Sequence, residues 1–499
     1  MTNHLYDALF APHAENDATL FTRPDAAPMS YRAFIARVGQ MAHALTRAGL
    51  KPGDRVVVQA EKSVEMVMLY GATIRAGGVF LPLNTAYTHE EVSYFVTDAA
   101  PRLLVCDPAQ AEGLSDIAQG VGAQILTLDA EGNGSLTEGM DALPEAFDTV
   151  AREAGDLAAL LYTSGTTGRS KGAMLSHENL LSNTRALIDL WRITSGDTLI
   201  HALPIFHTHG LFVALNTSLL AGAQVHFLRS FDKDAIFSAL PQATTLMGVP
   251  TFYTRLLDDP RLTREATAGM RLFISGSAPL LAETHVAFTE RTGHRILERY
   301  GMTETNMNTS NPYDGERRAG TVGQPLPGVE VRLTNPETGE AVPEGEVGMI
   351  EVRGPNVFSG YWQMPEKTAE ELRENGFFIT GDLGQMSADG YLSIVGRAKD
   401  LIITGGYNVY PKEVEDVLND LDGISESAVF GVADADFGEA IVAALVALPG
   451  AEIDLPATEV AVGEKLARFK HPRRYVVLEA LPRNTMGKVQ KNLLRERYA

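Results

Sequence analysis

Residues 162–180 read YTSGTTGRSKGAMLSHENL and follow directly on the apolar stretch Leu157 to Leu161. Gly, Ser and Thr crowded behind a strand-like run leave backbone N–H groups and hydroxyls exposed. Such a loop can surround a phosphate while one lysine, Lys171, balances its charge. The phosphates of ATP are the natural guest. The spelling is not that of a Walker loop, which needs Gly-Lys-Ser/Thr after four spacers; here Lys171 stands between Ser170 and Gly172. Taken by itself, the run also reads as a flexible surface loop.

A phosphate loop needs a sheet to carry it. Short apolar runs such as RVVVQA, RLLVCD, QILTLD and ATTLMGV alternate with longer helical patterns such as YRAFIARVGQMAHALTRAGL through the first 400 residues. That alternation predicts an α/β architecture of parallel sheets covered by helices. From Val322 the texture changes, and GVEVRLTNPETGEAVPEGEVGMIEVRG alternates with period two between Gly, Pro and Asn turns. A small antiparallel β subdomain is expected there, over about 320–395. A boundary at Lys399 then divides a large domain, 1–398, from a small α+β domain, 399–499. In the small domain an amphipathic helix begins near Pro411, ESAVFGVAD and AIVAALVAL read as strands, and EVAVGEKLARF reads as a helix. At 499 residues, more than one core is required.

The 42 Lys and Arg stand against 63 Asp and Glu, a net charge of -21. Such a surface repels nucleic acid and anionic lipid, so neither is expected as a partner, and each basic residue inside a motif gains weight. The single cysteine, Cys106, excludes an intrachain disulfide and a cysteine-cluster zinc site. It fits a reducing compartment, and the first residues lack the basic-then-apolar order of a signal peptide, so the expectation is the cytoplasm.

The string from Tyr162 to Leu180 resembles the phosphate-loop signature of the acyl-adenylate-forming superfamily, which includes acyl-CoA synthetases, adenylation domains of peptide synthetases and luciferases. LPIFHTHG from Leu203, SGSAPL from Ser275, YGMTE from Tyr300, TGD from Thr380, GRAKDLIITGGYNVYPKEVE from Gly396 and PRNTMGK from Pro482 resemble its other core motifs, in order. The resemblance implies a large adenylating domain and a small mobile one, with two half-reactions. A carboxylate attacks the α-phosphate of ATP and releases pyrophosphate; a thiol, that of CoA, then attacks the acyl adenylate and releases AMP. It implies that Thr163, Ser164, Gly165, Thr166, Thr167, Gly168 and Lys171 cradle the β- and γ-phosphates, and that Thr303 touches the α-phosphate. Magnesium falls to Glu304 with Thr166. Ser277, Ala278 and Pro279 lie against adenine beside Tyr300, Gly301 and Met302, while Asp382 takes the ribose hydroxyls and Arg397 the nucleotide. Lys488 bridges carboxylate and α-phosphate in the first half-reaction. Lys399 is the hinge, and Gly405, Gly406 and Tyr407 face CoA in the second. The resemblance also implies that a lysine acetyltransferase and a deacetylase act on Lys488, switching its charge.

These motifs do not choose the acid. Arg299, directly before YGMTE, departs from the small or neutral residue of synthetases for plain fatty acids. A buried guanidinium asks for an anion and matches a carboxylate in bidentate fashion, which points to a short diacid. ERYGMTE with PIFHTHG resembles the malonyl-CoA synthetases within the superfamily, with malonate or its methyl derivative as substrate. Two readings of Arg299 stay open: a clamp for the distal carboxylate, or a salt bridge to Glu298 or another acid. His207 is likewise either a substrate contact or a packed histidine shaping the pocket. Open too are a synthetase for acetate, a medium-chain or an aryl acid, an enzyme loading a carrier protein, and a non-catalytic ATP sensor.

Overall fold

The structure is a computed structural model that describes residues 2–24, 26–163, 170–336, 338–404, 407–434, 437–484 and 487–499. Two large sheets, a small antiparallel sheet and the sheet of the small domain make up the chain.

In the first sheet the strands Arg55–Gln59, Val79–Pro82, Leu103–Cys106, Gln124–Thr127 and Leu157–Thr163 run parallel. The helices Val64–Arg75, His89–Ala99 and Ala111–Val121 cross between them, as the alternating pattern predicts. Strand residues such as Val56, Val57 and Val58 are fully buried, as expected when both faces are covered. The second sheet has nine strands, parallel through its middle and antiparallel at both edges. The sheets are thus mixed rather than wholly parallel.

The antiparallel departure in the first sheet lies at the strand Leu157–Thr163. Leu157–Thr163 turns back into Lys171–Ser176, with Thr163 opposite Lys171. Lys171 thus starts the strand that pairs antiparallel with Leu157–Thr163. Ser176 then caps the helix His177–Trp191, accepting from the Asn179 amide while the Asn179 side chain accepts from Ser176. The Asn179 amide group also donates to the carbonyls of Pro355 and Val357, both at 2.8 Å. This tethers a segment whose Trp362 N–H reaches the Gly172 carbonyl at 2.7 Å.

The period-two region folds as four antiparallel strands, Glu330–Thr334, Val347–Arg353, Phe378–Met386 and Leu392–Arg397. Lys399 lies in a one-turn 3₁₀ helix, Ala398–Asp400, just beyond them. The last hundred residues form their own sheet, with Ile424–Asp434 and Gly438–Ala447 as its long hairpin. Their hydrophobic clusters draw only on residues from Ile402 onward. The helix expected over EVAVGEKLARF occupies Leu455–Lys465 instead, because Asp454 caps it by accepting from Ala457 and Pro456 fits its first turn. Among the described residues no helix is long and apolar enough to cross a membrane.

Candidate active site

The strand Leu297–Met302 carries the centre of the site. Neighbouring strand residues point to opposite faces, so Glu298 and Arg299 diverge. Glu298 accepts from the Leu280 amide at 3.3 Å. Burial, opposed by that bond and by Lys412, pushes its carboxyl up to about 8. Arg299 is 3% exposed and lies over Gly276, where a Cβ would come within 2.4 Å of its guanidinium carbon. Its Nε and Nη2 have no hydrogen-bond partner among the described residues. Burial pulls its pKa down to about 9, still leaving it charged at neutral pH. Among the described residues Arg299 forms no salt bridge, so the pairing with Glu298 is not realised.

Around Arg299 stand more basic groups. His207 is brought down to about 3 by desolvation, then by Lys488 and Arg299. His209, fully buried, falls well below its ordinary value through burial, Arg299, His207 and His201. Both imidazoles are therefore neutral at neutral pH. The Nδ1 of His209 lies 3.2 Å from the hydroxyl of Ser277, whose own backbone is left-handed at φ 71°. A π-helical turn, His209–Leu215, begins at this point, a geometry that often marks function. A cation with unused N–H groups beside neutral imidazoles forms a receptor for an anion.

The residues expected to hold the nucleotide gather on the adjoining side. Asp382 is opposite Arg397 in the antiparallel pair, with Arg397 Nε 2.6 Å from its Oδ1, and the Tyr300 hydroxyl donates to Oδ2 at 2.5 Å. Gly301 is irreplaceable on steric grounds, since a Cβ there would lie 1.8 Å from the Asn306 carbonyl in the tight return of the chain. Met302 and Thr303 follow in that return, and Glu304 is 5% exposed. Burial raises the Glu304 carboxyl; Lys171, Arg397 and the Tyr361 hydroxyl oppose that. Ala278 is partly exposed and Pro279 exposed, directly after Ser277.

Lys488 reaches this group from the small domain. Its loop is closed by the Asn484 amide donating to the Lys488 carbonyl at 2.9 Å and the Lys488 amide donating to Asn484 Oδ1 at 3.0 Å. Gly487 stands beside Thr251 of the large domain. Lys488 is exposed to solvent, and charged groups of the large domain act on its ammonium. Burial and Arg397 lower its pKa, Asp382 and Glu304 raise it, and Arg299 lowers it again. Lys488, Arg299, His207, Asp382, Arg397 and Glu304 thus act on one another in one place.

Lys171 meets a different set. Its ammonium lies 2.9 and 3.0 Å from the two oxygens of Glu371 and 4.1 Å from the centre of the Tyr361 ring. The Tyr361 hydroxyl contacts Glu371 at 2.6 Å and Glu304 at 3.1 Å. Neither Tyr361 nor Glu371 stands out in the sequence, where GYWQMPEKTAEE reads as a turn and a solvated helix start. His209 sits inside LPIFHTHG, and only its burial singles it out. Thr163 is described, at the end of its strand; Ser164, Gly165, Thr166, Thr167 and Gly168 lie outside the described residues, as do Gly405 and Gly406. Tyr407 is exposed and stacks on Phe469 at 4.7 Å.

Residues 11–362 match the AMP-binding enzyme family, and residues 413–488 match the AMP-binding enzyme C-terminal domain. The chain belongs to the AMP-binding enzymes, and its architecture is the acyl-adenylate-forming fold. A malonate–CoA ligase of Arabidopsis thaliana is 36% identical over 481 residues, covering 90% of this chain and 78% of that protein. ATP-bound MatB from Rhodopseudomonas palustris is 57% identical and superposes with a TM-score of 0.98, covering 100% of this chain and 99% of that one. The apo form of the same MatB, with the same identity and coverage, superposes at 0.88.

Proposed function

We propose that the protein is an ATP-dependent malonyl-CoA synthetase, converting malonate, ATP and CoA to malonyl-CoA, AMP and pyrophosphate through malonyl adenylate, with methylmalonate as a second substrate. The observation that carries this reading is Arg299: a buried guanidinium with two unpartnered nitrogens, Nε and Nη2, and no acid paired to it among the described residues. A buried charge without a partner costs several kcal/mol by order of magnitude, so its place is reasonable only if a ligand supplies the anion. A diacid offers one carboxylate to Arg299 and keeps the other for chemistry. The kinship with a malonate–CoA ligase and with MatB supports the same substrate.

In the first half-reaction the attacking carboxylate and the α-phosphate are both anions, and Lys488 and Thr303 would bring positive charge and a donor between them. The fit to ATP-bound rather than apo MatB supports taking the present position of Lys488 as the adenylating one. Neutral His207 would close the pocket without adding a competing charge. Asp382 would accept from the ribose, with Tyr300 and Arg397 fixing its orientation. Among the described residues no cluster of three or more His, Cys, Asp or Glu side chains could hold a metal. A single buried carboxylate, Glu304, suits magnesium that arrives with the phosphates, because that ion takes one or two carboxylates plus phosphate oxygens. Bound there, magnesium would neutralise charge on the departing pyrophosphate.

For the second half-reaction we propose rotation of the small domain about Lys399, bringing Gly405, Gly406 and Tyr407 to the pantetheine arm of CoA. Acetylation of Lys488 would remove the charge that only the first half requires. The test of the whole reading is AMP release with ATP, magnesium and CoA and, in parallel, malonate, methylmalonate, acetate and octanoate. Malonate is expected to lead by about two orders of magnitude over acetate, the value of a charge-assisted bidentate contact. Equal rates for malonate and acetate would remove the diacid reading; no AMP with any acid would remove the synthetase.

A further inference from the structure

The pair formed by Lys171 and Glu371 is built into the fold. Glu371 ends the helix Pro365–Glu371, which follows the segment tethered along the Lys171 strand by the Ala173–Tyr361 bridge and the bond from Trp362 to Gly172. The two side chains are only 16% and 23% exposed, and both carboxylate oxygens touch the ammonium. Lys367 reaches the same carboxylate at 3.1 Å. Burial alone would raise the Glu371 carboxyl, but the Tyr361 hydroxyl, Lys171 and Lys367 together hold it below its ordinary value. The carboxylate is therefore ionised.

We propose that Glu371 is a positioning residue that holds the phosphate-loop lysine Lys171 as its counter-ion between turnovers and, by competing for it, loosens the grip on pyrophosphate. This rests on the reading that Lys171 serves the β- and γ-phosphates. An ammonium has three N–H donors, and two of its contacts here go to Glu371. A polyphosphate must take them over, and once it has, a carboxylate remains a few ångströms from the phosphate charge. Both effects weaken binding of ATP and of pyrophosphate. Lys367 stays on Glu371 during the exchange, so the carboxylate is not left bare when Lys171 turns away. The gain lies at the end of the first half-reaction, where a polyanion has to leave a site made to attract it.

The experiment is calorimetric titration of the full-length protein with inorganic pyrophosphate in magnesium, alongside product inhibition by pyrophosphate. Glu371→Gln keeps the shape and removes the charge, and Glu371→Ala removes both. Each is expected to bind pyrophosphate about five- to tenfold more tightly, the effect of one like charge at close range in a partly screened site. Glu371→Asp, which restores the charge, is expected to stay within about twofold of the parent. Lys171→Ala is expected to bind at least about tenfold more weakly. If Lys171→Ala weakens binding while neither uncharged variant tightens it, the role of Glu371 is overturned and that of Lys171 stands. If Lys171→Ala binds as the parent does, the phosphate reading of Lys171 falls, and this one with it.

Discussion

Arg299 and Gly276 fit only as a pair: the guanidinium carbon lies 2.4 Å from where a Cβ on residue 276 would stand. The glycine opens a slot in the turn after the strand Leu272–Ser275, and the arginine fills it from the neighbouring strand. Gly276→Ala forces the guanidinium aside in a packed region and should cost about 1–3 kcal/mol of stability. The expected kinetic signature is a malonate KM raised roughly tenfold with the ATP KM little changed. Steady-state kinetics with each substrate varied in turn would reveal it, and an equal rise in both would mean that the whole site had moved.

An orphaned buried charge trades stability for recognition, and Arg299→Met separates the two. Removing the guanidinium should lower kcat/KM for malonate by roughly 10² to 10³. The same change should raise the melting temperature of the free protein, because no partner is stranded and an apolar side chain of similar length replaces an unpaired ion. Thermal unfolding without ligands, followed by kinetics on the same sample, tests both signs. A melting temperature several degrees lower would show that Arg299 has a structural partner after all.

Lys488 acts in the first half-reaction alone if its charge is needed only while the carboxylate attacks. Lys488→Ala should lose adenylation by about 10² or more while thioester formation from supplied malonyl adenylate survives. Its pKa lies below the ordinary lysine value of 10.5, chiefly through burial and Arg397. The charged form is the working one, so adenylation should fall as pH rises through that lowered value, earlier than a free lysine would dictate. Lys488→Arg, charged throughout, should lose this alkaline limb whatever its absolute rate. Retention of the limb in the arginine variant would assign it to another group.

The sequence is most legible where one short stretch supplies a whole function. The strand-and-helix alternation and the four antiparallel strands after Val322 are readable locally. Arg299 is noticeable because it stands directly before YGMTE, where synthetases for plain fatty acids carry a small or neutral residue. What escaped is relational. That Glu298 and Arg299 do not pair follows from strand geometry, yet nothing in ERYGMTE shows that Arg299 forms no salt bridge with any other described acid. Glu371 and Lys171 are 200 residues apart and meet only because a segment pairs along the hairpin. The helix predicted over EVAVGEKLARF is displaced toward Asp454, whose cap and the proline after it set the start more firmly than the apolar pattern does.

Glu298 supplies a test of the fold rather than of the reaction. Its buried carboxyl is raised from 4.5 to about 8, with one oxygen bonded to the Leu280 amide and the other without a partner among the described residues. A carboxyl raised on folding favours the protonated state. Its contribution to stability is fully present below about pH 4.5 and is lost as pH climbs to about 8, where the folded protein must carry the buried charge. Glu298→Gln keeps an acceptor for Leu280 and never ionises. It should melt close to the parent at pH 5 and above it at pH 9, by an amount on the order of a few kcal/mol. Melting curves across that range decide the matter: a constant offset between the two proteins would mean that Glu298 does not titrate on folding and that a cation, with Lys412 the nearest candidate, already neutralises it.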